Sequence, residues 1–176
     1  MTNDGKIHTH QFNKLNIGCC LWPMKGYTNI DNGYDYHTNR GSFKLGFLYM
    51  KEQAPHEMEL VDGKDYEFLE MDGNKMTFDD ESFDEVFSNQ CVGVYVTDFE
   101  GIIRVLKYGG RISLGVWKHK LAYVIGHLLQ RNIQIVNVSW LNGSYEDIDE
   151  REGIFTVMIE GIKVREQKGY WRWQNE

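Results

Sequence analysis

Three residues suited to ligand binding stand at the ends of short apolar segments in this 176-residue sequence. Gly18 follows the first segment, Asp31 closes the second and Asp72 follows the third. Glycine permits positive φ angles and a close approach of the backbone to a ligand, and a carboxylate that closes a second strand can accept hydrogen bonds from both ribose hydroxyls. If the segments are neighbouring strands, the pattern indicates a site for a nucleoside-like ligand.

Each of these residues also has a simpler interpretation. Gly18 alone is more often a strand-to-loop turn, and Asp31 and Asp72 are common residue types in turns and helix caps. The position of Gly18 before a strand that ends in Asp31 favours the binding site. The charge run at residues 79–81 is typical of a solvated face, and we assign it no chemistry.

Seven segments have the residue types and alternation of strands. They are residues 15–17, 27–31, 66–70, 83–88, 111–117, 133–140 and 154–162. The run from Glu70 to Gly115 reads as strand, acidic turn, strand, helix, glycine pair and strand, an order that places ligand-binding loops along one edge of a parallel sheet. Residues 19–27, which separate the first two strands, are fewer than the dozen or more of a full crossover, so we expect a shortened first helix or a loop.

Two segments have the apolar spacing of helices. The first is 98–107, and Gly109-Gly110 is expected to end it. The second, 119–131, has an apolar stripe that should pack on the sheet. The stripe consists of Leu121, Val124, Ile125, Leu128 and Leu129. Together with the strands, these helices predict an α/β sandwich.

The composition suits one domain that spans residues 1–176, because 41% of the residues are hydrophobic and 14% are aromatic. Residues 1–13 and 168–176 read as peripheral tails, and residues 32–64 as an insert or lid. The net charge of -7 argues against binding to a nucleic-acid backbone, since proteins that do so neutralise phosphates with clustered Lys and Arg.

The cysteines indicate a reducing compartment. Cys19, Cys20 and Cys91 are an odd set, and the adjacent pair is poorly placed for a disulfide, so we expect free thiols. There is no second pair at zinc spacing and no ligand spacing among the histidines, so we expect no metal site. We find no secretory leader and no run of ~20 apolar residues. These observations predict a cytoplasmic protein without a membrane partner.

Two motifs in the middle of the chain carry a resemblance to a known family. Residues 72–86 run Asp-Gly-Asn-Lys-Met-Thr-Phe-Asp-Asp-Glu-Ser-Phe-Asp-Glu-Val, and residues 105–111 run Val-Leu-Lys-Tyr-Gly-Gly-Arg. They are similar to the Asp-Ala-x-x-Leu-Pro-Phe-x-Asp-x-Ser-Phe-Asp-x-Val and Arg-Val-Leu-Lys-Pro-Gly-Gly motifs of class I S-adenosylmethionine-dependent methyltransferases. Among these, the chain resembles the small single-domain type 11-like enzymes.

The N-terminal half resembles a subgroup of the same family. Residues 14–20 run Lys-Leu-Asn-Ile-Gly-Cys-Cys, and residues 26–31 run Gly-Tyr-Thr-Asn-Ile-Asp. The subgroup pattern is Lys-Leu-Asn-Leu-Gly-Cys-Gly followed closely by Gly-Tyr-Ile-Asn-Val-Asp, with the same short first crossover. The motifs are weak separately and more specific in this order along one chain.

The resemblance implies a Rossmann-like three-layer α/β sandwich, with a mostly parallel seven-stranded sheet that ends in an antiparallel hairpin around the acidic loop 145–152. It also implies S-adenosylmethionine as the cofactor. In the family, the positions of Gly18, Asp31 and Asp72 meet the methionine part, the ribose and the adenine amino group. The cofactor-binding residues predicted in this way are Asn16, Gly18, Cys19, Cys20, Asp31, Asp72, Gly73 and Ser88.

The chain departs from the family pattern at two places. Cys20 stands where the family has its second glycine, and a side chain there projects toward the ligand. After the fourth strand, the family often shows Ser-His-x-Leu-Glu-His, whereas this chain has Ser88-Asn89-Gln90-Cys91. A catalytic base is therefore not identified. Asn89 and Gln90 are candidates that could hold a substrate through their amides or simply satisfy loop backbone groups.

Three functions follow from the resemblance. The first is methyl transfer from S-adenosylmethionine to a small-molecule, sugar or peptide acceptor, since the chain lacks the Asn/Asp-Pro-Pro-Tyr run of enzymes that methylate exocyclic amines of DNA bases. The second is a catalytically inactive interaction protein with a degenerate cofactor site. The third keeps the cofactor for another reaction. The aromatic-basic tail 170–173 could stack on bases, but because the chain around it is acidic we expect it to pack on the domain or on a neighbouring subunit, which leaves a homo-oligomer as an open alternative.

Overall fold

The computed structural model describes residues 10–18, 24–31, 67–140 and 156–165. Seven strands in these ranges form one sheet in the order β3-β2-β1-β4-β5-β7-β6. They are β1 (Lys14–Ile17), β2 (Thr28–Asp31), β3 (Glu67–Glu70), β4 (Phe83–Asn89), β5 (Leu106–Trp117), β6 (Ile133–Trp140) and β7 (Thr156–Lys163). Strands β1 to β5 are parallel to one another, and β7 is antiparallel to both β5 and β6. The predicted α/β Rossmann-like fold with a C-terminal antiparallel hairpin is confirmed.

The strand register brings the ends of the parallel strands to one edge. Ile17 of β1 pairs with Ile30 of β2 and with Ser88 of β4. Asp31 pairs with Glu70 at the end of β3. We call this side, where β1 to β5 end, the carboxyl edge, and the opposite side, where they begin, the amino edge.

The first crossover is short, as predicted: residues 18–27 connect the parallel strands β1 and β2. Several predicted segments lie outside the described residues. These are the insert 32–64, the acidic loop 145–152 and the tail 168–176.

The helix α1 (Phe99–Val105) begins as predicted and ends early. Asp98 caps it, because its Oδ1 accepts a hydrogen bond of 3.0 Å from the Gly101 N–H. The predicted extension to residue 107 is wrong, since Leu106 is extended and pairs with Phe83 as the first residue of β5. Gly109 and Gly110 therefore lie within β5 rather than at the helix end.

A buried lysine completes the C-terminus of α1. Lys163 Nζ donates hydrogen bonds to the carbonyls of Ile103, at 2.9 Å, and Leu106, at 2.7 Å. A cation is favourable beside the unpaired carbonyls at a helix C-terminus. Burial lowers the pKa of Lys163, and nearby carboxylates oppose that shift.

The helix α2 (Leu121–Gln130) follows a 3-10 turn at Lys118–Lys120, so it begins later than predicted. Its stripe packs on the sheet through Val124 and Leu128, which are fully buried. Leu121 and Ile125 are partly buried against the same core. Leu129 is 37% exposed, so the prediction that it belongs to the packed stripe is wrong. It lies on the flank, about 100° around the helix from Leu128.

The two described helices lie on the same face of the sheet. The Phe99 ring of α1 stacks on the His127 ring of α2, with ring centres 4.5 Å apart. Arg131 Nε forms an ion pair of 3.1 Å with Glu100. None of the helices in the described ranges is long and apolar enough to cross a membrane.

Residues 10–13, which the sequence suggested as part of a peripheral tail, contact the domain. The His10 ring lies 4.3 Å from the Phe83 ring and 5.8 Å from the Phe78 ring, measured between centres. The Asn13 carbonyl accepts a hydrogen bond of 2.7 Å from the Asp84 N–H. This segment therefore covers the amino edge of β4.

Candidate functional site

The carboxyl edge brings together four of the residues predicted to bind the cofactor. The sheet order β3-β2-β1-β4 places Asp72, Asp31, Gly18 and Ser88 at or just beyond the ends of four adjacent strands. Ligands of open α/β sheets bind at this edge, in the crevice near the point where the strand order reverses. That point here lies between β1 and β4.

Gly18 has the backbone conformation that the sequence predicted, with φ of +67°. Its N–H donates to the Ile30 carbonyl at 2.9 Å, which joins the loop to β2. A Cβ atom at this position would lie 2.4 Å from the Sγ atom of Cys91. Glycine is therefore required both by the left-handed conformation and by the contact with Cys91, which the sequence analysis did not assign to the site.

Asn16 is 2% exposed and lies within β1. Its Nδ2 donates to Asn29 Oδ1 at 2.9 Å, and the same oxygen accepts a hydrogen bond from the Met24 N–H at 2.8 Å. This amide pair joins the first two strands to the loop between them. Cys19 and Cys20, the remaining predicted residues of that loop, lie outside the described residues.

Asp31 lies at the end of β2, partly exposed, and next to the start of the loop that follows β3. Its main-chain carbonyl accepts a hydrogen bond of 2.9 Å from the Met71 N–H. This contact holds the segment before Asp72 against the end of β2. The two acids predicted to grip a nucleoside therefore belong to neighbouring strand ends.

Asp72 takes part in a tight turn. Its main-chain carbonyl accepts from the Lys75 N–H at 2.8 Å, and its Oδ1 accepts from the Asn74 N–H at 2.9 Å and from Asn74 Nδ2 at 3.1 Å. The hydrogen bonds of Oδ1 are therefore those of a turn residue, which was the simpler interpretation of Asp72. Within the described ranges Oδ2 accepts no hydrogen bond, which leaves one carboxylate oxygen for a ligand.

Gly73 is a packing glycine. A Cβ atom here would lie 2.7 Å from Cγ2 of Val96 and 3.0 Å from Cγ2 of Ile17. The backbone of the Asp72 turn therefore fits closely between β1 and the loop that follows β4. A larger residue would push these segments apart.

Ser88, near the end of β4, is fully buried, and its Oγ has no hydrogen-bond partner in the part of the chain that the structure describes. A buried hydroxyl left unpaired costs about 1–3 kcal/mol, so such groups are rare and usually have a role. Its neighbours in the sheet are Ile17 and Leu114, which cannot pair with it through their side chains. The hydroxyl is available to a polar group that enters at this edge.

Two amides at the end of β4, Asn89 in its last position and Gln90 just after it, lie toward β5 and β7. Gln90 has φ of +59°, its N–H donates to the Gly115 carbonyl at 2.7 Å, and its Nε2 donates to Thr156 Oγ1 at 2.6 Å. Of the two interpretations of Gln90, its contacts therefore support the one in which it satisfies groups of the loop. Asn89 is exposed, and its side chain lies against Gly115, where a Cβ atom would be 2.4 Å from Asn89 Oδ1.

Asn74 is the contact residue that sequence reasoning missed. Its side chain joins the Asp72 turn to the loop that precedes α1, through bonds to Tyr95, Thr97 and Asp98. A signal was present, because Asp-Gly-Asn after a strand is typical of a turn closed by side-chain hydrogen bonds. The described residues contain no group of three or more His, Cys, Asp or Glu side chains placed to hold a metal ion.

The described residues fit S-adenosylmethionine as the predicted cofactor. The unpaired Ser88 hydroxyl, the open Oδ2 of Asp72 and the positive φ of Gly18 lie at one edge of adjacent strands. Asp31 and Asp72 would hold the nucleoside. Ser88 and the backbone near Gly18 lie closer to the middle of the sheet, where the amino-acid part would reach.

Comparison with known proteins supports the family. A family model described as a methyltransferase domain matches residues 46–114, which include Asp72, Gly73 and Ser88. The matched region extends from before β3 to within β5, so it leaves out Gly18, which follows β1, and Asp31, the last residue of β2. No curated protein matches the sequence.

Solved structures share the fold at low sequence identity. The YcgJ protein of Bacillus subtilis has a TM-score of 0.58 at 12% identity, over 87% of this chain and 92% of that one. Geranyl diphosphate C-methyltransferase of Streptomyces coelicolor, solved with S-adenosyl-L-homocysteine, has a TM-score of 0.57 at 13% identity, over 88% and 73% of the two chains. The [4+2]-cyclase SpnF has a TM-score of 0.59 at 12% identity, over 86% and 75%.

These likenesses and the strand order agree with the resemblance that the sequence motifs predicted. The chain has the fold of the class I S-adenosylmethionine-dependent methyltransferases, and its residues 46–114 match a methyltransferase domain.

Proposed function

We propose that the protein binds S-adenosylmethionine at the carboxyl edge of β1 to β4 and transfers its methyl group to a small-molecule, sugar or peptide acceptor. The proposal is supported by the methyltransferase-domain match over residues 46–114. The single observation that carries it is the placement of Asp31 and Asp72 at neighbouring strand ends, through the pairing of Asp31 with Glu70. Two carboxylates in this arrangement suit the two polar ends of a nucleoside.

Each residue has a distinct role in the proposed site. Asp31 accepts hydrogen bonds from both ribose hydroxyls, and Asp72 Oδ2 accepts one from the adenine amino group. Gly18 and the cysteines that follow it border the methionine part. The Ser88 hydroxyl offers a hydrogen bond to a polar group of the ligand, because it has no partner among the residues that the structure describes.

When bound, S-adenosylmethionine supplies a methyl group already activated on a sulfonium, so little covalent chemistry is required of the protein. The contribution of the chain is to orient the acceptor and to exclude water. Asn89 is the candidate for orienting an acceptor, since it is exposed at the end of β4. Gln90 is engaged with Thr156, so it positions the loop.

Isothermal titration with S-adenosylmethionine and S-adenosylhomocysteine tests the proposal. We expect micromolar binding by the natural chain, weakened about 10- to 100-fold in Asp31→Ala and in Asp72→Ala, the range expected when a hydrogen bond to a charged group is lost. Asp79→Ala, which changes an exposed acid in the turn that leads to the start of β4, is the control and should bind normally. Absence of heat at millimolar ligand would rule out the proposal.

A second function is favoured by the contact between Cys91 and Gly18. If Cys91, together with Cys20, closes the space that the cofactor needs, the chain is an interaction protein with a methyltransferase fold. Cys20→Gly separates the two functions. The enzyme proposal predicts that the variant binds the ligand as tightly as the natural chain or more tightly. The interaction proposal predicts that the natural chain, which has Cys20, does not bind the ligand. We also propose a cytoplasmic location, which fits the odd set of three cysteines in the sequence.

A further inference from the structure

Asn74 uses every hydrogen-bonding position of its side-chain amide. Nδ2 donates to Asp72 Oδ1 at 3.1 Å and to the Tyr95 carbonyl at 2.9 Å. Oδ1 accepts from the Thr97 N–H at 2.8 Å and from the Asp98 N–H at 3.2 Å. An amide has two donor hydrogens and two acceptor lone pairs, so this one is fully satisfied. Aspartate would lack the donors, and serine would be too short to span the same groups.

These contacts determine how the Asp72 carboxylate is turned. Its Oδ1 receives two hydrogen bonds from Asn74, one from the main-chain N–H and one from Nδ2. Rotation of the carboxylate would break both bonds. Oδ2 is therefore held in one direction, and it accepts no hydrogen bond within the described residues.

The same amide connects the nucleoside pocket with the segment after β4. Asp98, whose N–H reaches Asn74, is the N-cap of α1. Val96 packs against Gly73, where no Cβ would fit. The loop of residues 91–98 is therefore joined to the Asp72 turn, and the Asn74 side chain is the polar link between them.

We propose that Asn74 is a positioning residue that makes the pocket select a purine with a 6-amino group over one with a 6-oxo group. The inference rests on the proposed function. A fixed carboxylate oxygen accepts a hydrogen bond from an amino group and repels a carbonyl oxygen, so a 6-oxo ligand loses a bond and gains a repulsion. A carboxylate free to rotate discriminates less, because it can turn away from the wrong group.

The test compares the dissociation constants of S-adenosylhomocysteine and S-inosylhomocysteine, whose purines differ at position 6 and consequently at N1, which carries a hydrogen only in the 6-oxo compound. We expect the natural chain to prefer the adenosyl compound by ~10-fold or more, and Asn74→Ala to reduce this ratio to about threefold or less. Asn137→Ala is the matched control, because Asn137 Nδ2 also donates to a carboxylate, Glu160 Oε2 at 2.7 Å, on the far side of the sheet. Its ratio should equal that of the natural chain.

Asn74→Asp is the second variant, in case Asn74→Ala does not fold. This variant retains acceptors for the N–H groups of Thr97 and Asp98 and loses the side-chain donor to Asp72. It should therefore also reduce the ratio of the two dissociation constants. Equal weakening of both ligands, with the ratio preserved in both variants, would show a merely structural role and overturn the inference while leaving the proposed function intact. If the natural chain binds neither compound, both proposals fail.

Discussion

The two edges of the sheet differ in how their polar side chains are hydrogen-bonded. At the amino edge the groups pair with one another: the Tyr27 hydroxyl donates to Glu85, and Lys14 forms an ion pair of 3.1 Å with the same carboxylate. Among the described residues three buried polar side-chain atoms have no partner. Two of them, the Ser88 hydroxyl and the Trp117 indole N–H, lie at the carboxyl edge, and the third, the Thr77 hydroxyl, lies in the connection between β3 and β4. The comparison indicates that the amino edge stabilises the fold, and that the carboxyl edge keeps hydrogen-bonding capacity for a ligand.

The amino edge extends this pairing to other strands. Thr28 Oγ1 donates to Glu67, which also accepts from the Gln11 N–H at 2.8 Å. Burial and the Glu85 carboxylate raise the pKa of Tyr27, which therefore stays a hydrogen-bond donor at neutral pH. Substitutions at this edge should change stability and leave ligand binding unchanged.

The largest effect is expected at Gly18. Gly18→Ala places a Cβ atom 2.4 Å from Cys91 Sγ in a left-handed conformation, so we expect a loss of about 3 kcal/mol in the free energy of unfolding. Adding Cys91→Gly should make the double variant more stable than the sum of the single losses predicts, by ~1–2 kcal/mol. Urea denaturation of the natural chain, the two single variants and the double variant measures these free energies of unfolding. If the losses of the two single variants simply add in the double variant, Cys91 does not fill the space beside Gly18.

At the end of β7, where Lys163 pairs with the first residue of β6, Lys163→Met should cost about 2 kcal/mol of folding stability. The variant leaves the carbonyls of Ile103 and Leu106 without their donor, and relief of the buried charge offsets part of the loss. Lys107→Met is the control, since the exposed ion pair of Lys107 with Asp84 at 2.8 Å contributes less than ~1 kcal/mol. Similar denaturation midpoints for the two variants would contradict the assignment of Lys163 as the donor that stabilises the end of α1.

Ser88→Ala should separate stability from binding. Removal of an unpaired buried hydroxyl is expected to leave the free protein equally stable or more stable by up to ~1 kcal/mol. Affinity for S-adenosylhomocysteine should fall about fivefold, by the value of a neutral hydrogen bond. A clear loss of stability with unchanged affinity would place Ser88 among the structural groups.

The smallest effect concerns the acid response of Asp84. The Lys107 side chain and then Asn13 hold the pKa of Asp84 below its ordinary value, so its contribution exists above that value and is lost as the pH falls through the lowered one. Asp84→Asn should therefore differ from the natural chain by ~0.5 kcal/mol at neutral pH, and by less as the pH falls below ~4. A difference that stays constant down to pH 2 would argue against this pair.

The strands and their common edge could be predicted from the sequence because the information is local. Alternation, turn residues and motif order place Gly18, Asp31 and Asp72 at strand ends, and the structure has them there. The end of α1 could not be predicted, because Leu106 joins β5 through its pairing with Phe83, and Lys163, distant in sequence, completes the helix terminus.

The details of the candidate site were less predictable for the same reason. The contact of Cys91 with Gly18 joins two loops that only the fold brings together. The bonds of Asn74 to Tyr95 and Thr97 likewise span two loops. The residue types of Cys91 and Asn74 do not indicate which residues they contact. Sequence patterns can therefore place such residues near a site without showing what they do there.

Hydrogen exchange of the backbone, with and without S-adenosylhomocysteine, tests the central claim most directly. We predict that the ligand slows exchange at the carboxyl edge, around Gly18, Asp31 and residues 72–75, and leaves the amino edge around Asn13 and Asp84 unchanged. Protection confined to the amino edge, or no protection at saturating ligand, would contradict the account.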